Sequence, residues 1–258
     1  MKQVLSLLGL AILGFLFMAQ GGVIGPKGVI GPNGVLGAAA GGATNTFTLV
    51  QGPIYSGTTG PCGNQVTCAT TVTALGSGHL LVLQGFTSQG SAIYISSVAC
   101  TSSSCGTWVV PTGAGYQIND ASGGAPGALS SAYVLSSSSG ATTVTITWNN
   151  ASPGGGAHAT FWEYSYTPGP CALDIGGTVP DAVCSSCPGV ALSLTGTQDV
   201  ILQELASDTA SPSAITTYTN FANGSFTGWA DLENTSSGTA PTWTETSGHT
   251  VGIAIAFK

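Results

Sequence analysis

Charge is what this sequence has least of. Only 5% of its 258 residues are Asp, Glu, Lys or Arg, against about 25% in soluble proteins generally. Arginine is missing altogether, and the lysines are Lys2, Lys27 and Lys258, set against ten acidic residues. A nucleic-acid partner needs cations that neutralise phosphates and release counterions, so that class is excluded. Anionic membrane surfaces are disfavoured on the same ground, and no membrane contact is expected beyond the leader. Helical stretches are the second shortage: no run of a dozen residues escapes Gly, Pro and dense Ser/Thr while placing apolar residues at i, i+3, i+4 and i+7. Missing too are a G-x-S-x-G elbow, an HExxH pair and a P-loop. No cofactor is implied, and an enzyme would have to arise from a spatial arrangement that no motif announces.

What is present is 43% hydrophobic residues, enough for a sizeable core beneath a surface of Ser, Thr, Asn, Gln and Gly. Such a surface suits neutral glycans or copies of the same chain, although hydroxyl-rich strands are also how many exported β-proteins cover their outer face. Residues 1–21 read as a signal peptide: Lys2 precedes an uncharged, largely apolar run from Val4 to Met18, and Ala19 and Gly21 offer a small-x-small cleavage site. The run is short for a membrane span, and an uncleaved anchor is the alternative. Export follows, to the medium or the cell surface.

Residues 22–45 begin as GVIGPKGVIGPNGVLG, with Gly22, Gly25, Gly28, Gly31, Gly34 and Gly37 at every third position. Only glycine fits the axis of a collagen triple helix, which gives a Gly-x-y spacing physical meaning. Five triplets are few, so the segment reads either as an extended linker or as a short self-associating stalk.

Residues 46–258 read as one domain of short strands divided by Gly, Ser, Pro and Asn clusters, with a division near Pro168 to Cys171 as runner-up. Expected strands are 46–51, 69–75, 79–86, 92–98, 107–110, 131–136, 141–148, 159–166, 190–196, 199–206, 214–218, 227–232 and 252–257. Val144, Ile146 and Trp148 alternate with Thr143, Thr145 and Thr147, giving one buried and one wetted face. The expected fold is all-β, an antiparallel two-sheet β-sandwich of jelly-roll or related topology.

Seven cysteines in an exported chain indicate disulfides. Cys62 with Cys68, and Cys100 with Cys105, bracket short loops. Cys171, Cys184 and Cys187 can supply one bridge more, leaving one thiol over. The Cys184-Ser-Ser-Cys187 spacing resembles half a zinc or redox motif, but His79, His158 and His249 stand alone, so no metal site is expected.

A hydrolase would need two positioned carboxyls about 5–10 Å apart; Glu163, Glu204 and Glu245 are the candidates. Alternation puts Glu163 beside Phe161, on the side where hydrogen bonding in the interior is the plain reading. A carbohydrate-binding module would need exposed rings to stack on sugars. Trp162 and Tyr164 share a strand face with His158, Thr160 and Tyr166, whose common fate is the core, and Trp229 and Trp243 lie in what read as loop or edge regions. Asp231, Glu233 and Asn234 suggest either a calcium loop or a solvated turn. Sequons start at Asn150, Asn223 and Asn234.

The leader, the V-I-G-P-x-G repeats, GHLLVLQGF, TWVVPTG, ATFWEYSY, TAPTWT and the final IAIAFK together resemble a group of exported proteins of environmental bacteria. The resemblance spans most of the chain and implies a secreted sandwich, with no functional residues to carry over. Phage tail-fibre tips, where Gly-x-y segments also precede β-rich domains, are a more distant likeness against which the leader argues. The expectation is a non-catalytic extracellular or cell-surface structural or adhesive module, with carbohydrate binding and then glycoside hydrolysis as alternatives.

Overall fold

The computed structural model describes residues 44–56, 62, 65–88, 92–119, 127–150, 156–224 and 226–258, with three short strands nearer the start. The expected signal peptide lies outside the described residues. Within the glycine-repeat segment, β1 (Ile24–Gly25), β2 (Gly28–Ile30) and β3 (Leu36–Ala38) pair antiparallel in that order. They belong to a separate unit, residues 1–43, whereas residues 44–258 form one compact unit.

The first half of that unit contains β4 (Thr46–Ser56), β5 (Thr67–Thr71), β6 (Leu80–Thr87), β7 (Ile95–Thr101), β8 (Gln117–Asn119), β9 (Ala128–Val134), β10 (Thr143–Trp148) and β11 (Ala157–Thr167). A three-stranded outer sheet runs β5-β10-β7, and a five-stranded middle sheet runs β4-β11-β6-β9-β8. Apart from the short β8, successive strands cross from one sheet to the other, and the first and last strands lie side by side. This is jelly-roll wiring, and the expected all-β antiparallel sandwich is present.

The second half adds β12 (Leu173–Pro188), β13 (Asp199–Ser207), β14 (Ala214–Ile215), β15 (Thr219–Gly224), β16 (Thr227–Thr235) and β17 (Thr242–Phe257). They form one further antiparallel sheet, β12-β17-β13-β16-β15, with β14 on β17. This C-terminal sheet packs on the face of the middle sheet that the outer sheet leaves free, so the unit is a stack of three layers.

The packing explains the sequence of β6. Leu81 and Leu83 point into the core beneath the outer sheet, with Val144, Ile146, Trp148 and Phe161. Leu80 and Val82 point the other way, into a core shared with the C-terminal sheet through Val200, Leu202, Trp229, Ile255 and Phe257. Every residue of β6 is buried, as expected of a strand covered on both faces. The far face of the C-terminal sheet carries Ile201, Leu205 and Trp243 beneath Val190, Leu192 and Tyr218. Those three come from non-strand segments.

Two expected strands behave differently. Residues 107–110 contribute only a bridge, Val109 to Tyr133. Residues 190–196 are a covering loop, apolar because they cap a sheet face. β12 was not expected: Gly176, Gly177 and Pro180 interrupt its sequence with residues that disfavour strands. It is an edge strand whose pairing with β17 shifts register between Leu173 and Ile175, between Val179 and Ala182, and between Cys184 and Ser186, features typical of edges. The disulfides are Cys62–Cys68, Cys100–Cys105 and Cys184–Cys187, leaving Cys171 free and buried.

Candidate functional site

The four rings considered as a sugar platform are all core. Trp162, Tyr164, Trp229 and Trp243 each have no solvent exposure. Trp162 and Tyr164 lie on β11 where a third layer covers the face that a two-layer sandwich would leave wet. Trp229 and Trp243 are not loop residues but sit within β16 and β17, the first in the shared core and the second in the far one. None offers a ring to a ligand from solution.

The three candidate carboxyls occupy separate surroundings and share no partner. Glu163 is wholly buried; its Oε1 accepts hydrogen bonds from Gly76 N at 2.8 Å and from His79 Nδ1 at 2.7 Å, and Gln51 Nε2 donates to Oε2. Gln51 in turn pairs with both backbone groups of Thr73. The cluster ties the 72–79 turn to β4 and β11, which is the plain hydrogen-bonded role alternation suggested. Glu245 accepts from Ser207 Oγ and Thr209 Oγ1, and burial raises its pKa against those bonds. Glu204, also wholly buried, accepts from Trp229 Nε1 at 2.8 Å; burial outweighs that bond and pushes its pKa up to about 8. It is therefore a neutral acid at pH 7.

Asp231 is no calcium-loop residue. It lies in β16, buried, with its carboxylate taken by Tyr164 OH at 2.7 Å, Thr219 Oγ1 and Asn220 Nδ2. Asn234 bonds both backbone groups of Phe47, and Asn223 Nδ2 donates to Pro212 O. Among the described residues, no group of three His, Cys, Asp or Glu could hold a metal ion.

Sequence reasoning missed two arrangements. The first joins the two halves of the sheet edge around Asp174, whose carboxylate accepts from Thr195 N, Thr195 Oγ1 and Lys258 Nζ at 2.9 Å. Burial pulls its pKa up, but the bonds from Thr195 and Lys258, with the neighbouring Asp199, win and hold it well below the carboxylate range. Asp199 carries the opposite shift, up to about 7, through burial and then through the neighbouring Asp174 carboxylate. Lys258 is the only Lys or Arg from residue 44 onward. Nothing local in the sequence marks this pairing, because β12, β13 and the last residue of β17's extension meet only in the fold.

The second is a polar row inside the shared layer. On β6, Gln84 falls between Val82 and Phe86 along one face; on β9, Ser131 falls between Leu129 and Tyr133; on β11, Thr160 falls between His158 and Trp162; and on β13, Glu204 falls between Leu202 and Ala206. Register lines these up, Thr160 opposite Gln84 and Gln84 opposite Ser131. On the facing sheet Glu204 lies opposite Trp229 and Ile253. Tyr55, opposite Thr160 in the same row, meets Trp229 across the layer with ring centroids 5.0 Å apart. The row separates the shared core from a smaller apolar cluster of Phe86, Leu129, Ala206, Val251 and Ile253.

Tyr55 OH and His158 Nδ1 are 2.8 Å apart, and burial pushes the His158 pKa down to about 4, so the row holds no charge at pH 7. Gln84 Nε2 and Oε1, Ser131 Oγ, Thr160 Oγ1, His158 Nε2 and Glu204 Oε2 are all buried without a protein partner. Desolvating five such groups unsatisfied costs roughly 1–3 kcal/mol each, a sum as large as the ~5–15 kcal/mol net stability of a whole domain. The signal in the sequence was a Gln inside LLVLQGF and a Glu inside VILQELA.

No family model matches the chain, and no curated protein matches it. Among solved structures it is similar to the major capsid protein P2 from Bacteriophage PM2, at 8% identity over 83% of this chain and 96% of that one, with a TM-score of 0.25. It is also similar to the STIV MCP, at 7% identity over 83% and 97%, with a TM-score of 0.24.

Proposed function

We propose that this chain is a non-catalytic structural or adhesive module of the cell exterior, meeting copies of itself or neutral polymers through an uncharged, hydroxyl-rich surface. The observation that carries this reading is the solvent face of the outer sheet. Thr143, Thr145 and Thr147 stand opposite Thr71, Ala69 and Thr67 on one side and Thr101, Ala99 and Ser97 on the other. Seven hydroxyl side chains and two alanines make a face with no ionic side chain and little rotamer freedom to lose on contact. Meanwhile the rings and carboxyls that a sugar platform or a hydrolase would need are engaged inside the stack. Three disulfides suit an oxidising exterior, and the Gly-x-y segment serves as the stalk.

Light scattering of residues 22–258 and of residues 44–258, each beside its Thr145→Lys counterpart, tests this. The mass should exceed a monomer, or retention on neutral polysaccharide should appear, and Thr145→Lys should abolish it. A chain that stays monomeric at every concentration and is retained by no polymer would refute the proposal.

A further inference from the structure

We propose that the polar row between the middle and C-terminal sheets is a buried water-binding site, in which ordered water bridges the Gln84 amide, the Ser131 and Thr160 hydroxyls and the second oxygen of Glu204. The inference stands apart from the surface reading above, since it concerns a layer no partner reaches.

Three observations select the occupant. The groups are complementary in kind: the amide and hydroxyls donate and accept, and a protonated carboxyl donates. A molecule that satisfies them must itself donate and accept, as water does with two to four partners. The site also carries no balancing charge, so a bound ion would lie in low dielectric unpaired. Finally, two files flank the row, Val82, Tyr133, Trp162 and Leu202 along one side and Phe86, the stacked His158, Leu129 and Ala206 along the other, which leaves a strip one residue wide rather than a pocket for a larger solute.

The water makes the two sheets one hydrogen-bonded body at a level where their apolar contacts are interrupted. Gln84, the only member that can contact water with two donors and two lone pairs, is the centre of the row by register.

A crystal structure that orders internal solvent is the test, supported by NMR cross-relaxation between water and the Gln84 side-chain amide. Expected are water density within hydrogen-bond distance of Gln84 and at least one of Ser131, Thr160 and Glu204, and cross-peaks of a long-lived water that vanish in Gln84→Met. Ser131→Ala, a smaller change, should leave the fold intact while displacing or loosening that water. Gln84 bonded directly to Thr160 or Ser131 with no density between the sheets would overturn the proposal. So would density, or non-exchanging resonances, of a molecule other than water.

Discussion

The two halves of the folded unit use the same strand order and reach different ends. In residues 46–167 the sheet order β4-β11-β6-β9-β8 is first strand, last strand, then the inner ones; in residues 173–257 the order β12-β17-β13-β16-β15 repeats it. The first half covers one face of its sheet with a second sheet, β5-β10-β7, and so encloses a core of its own. The second half covers its far face with segments around Val190, Leu192 and Tyr218 and leans on the first half for the rest. Acidity divides the same way. Only Asp120 and Glu163 precede Cys171, whereas Asp174, Asp181, Asp199, Glu204, Asp208, Asp231, Glu233 and Glu245 follow it. A half that borrows its core from its neighbour also holds four of the five buried acids among the described residues, Asp199, Glu204, Asp231 and Glu245 against Glu163, so the response to pH concentrates there.

The largest expected effect tests that dependence. Trp229→Ala, in the shared core, should cost about 3–5 kcal/mol in chemical denaturation and lower the midpoint for both halves together. Trp148→Ala, in the core of the first half alone, should cost a similar amount. If Trp229→Ala releases the second half while the first keeps its midpoint, the halves are independent.

Next comes pH. Glu204 is pushed up to about 8 from an ordinary 4.5, so between those values the folded chain holds a proton the unfolded chain has lost, and stability falls as pH rises. His158, pushed down to about 4 from 6.5, acts oppositely, adding stability as pH rises from about 4 to 6.5. The two offset below about 6.5, and from there to about 8 the loss through Glu204 is unopposed. At ~1.4 kcal/mol per pH unit this amounts to about 2 kcal/mol. Asp199, raised to about 7 from 3.8, adds a loss over its own window. Glu204→Gln should flatten the slope between pH 6.5 and 8 by one proton in denaturation at stepped pH; an unchanged slope would place the titration elsewhere.

Lys258→Ala should cost roughly 1–2 kcal/mol, because Lys258 keeps 43% of its side chain in solvent but the Asp174 carboxylate it would leave short of a partner is buried. The smallest effect is on reactivity. Burial, and then the charge of Asp199, push the Cys171 thiol up to about 12, so a thiol reagent at pH 8 should leave it unmodified until the shared core opens. Prompt labelling of folded protein would contradict that packing.

Period-two alternation made most strands legible, and ATTVTITW gave both faces of β10 correctly. The third layer was harder to read. The stripe on β11 has the expected membership, but whether its rings meet water depends on a sheet assembled from residues 173–257. A hint existed in LLVLQGF, a run without a polar face, which demands cover on both sides. β12 escaped because its glycines, proline and serines have the composition of turns, and the 190–196 loop misled because a segment capping a sheet is as apolar as a strand. Of the site candidates, the hydrogen-bonded burial of Glu163 followed from its place beside Phe161. The Asp174, Asp199 and Lys258 cluster left no local trace, since its members are far apart in sequence and meet through strand pairing.

The most direct test of the shared core is calorimetric unfolding of residues 44–258. One transition is predicted, with calorimetric and van't Hoff enthalpies equal, and residues 169–258 expressed alone should fail to fold. Two resolved transitions, or a C-terminal half that folds by itself, would contradict the claim that its sheet depends on the jelly roll beneath it.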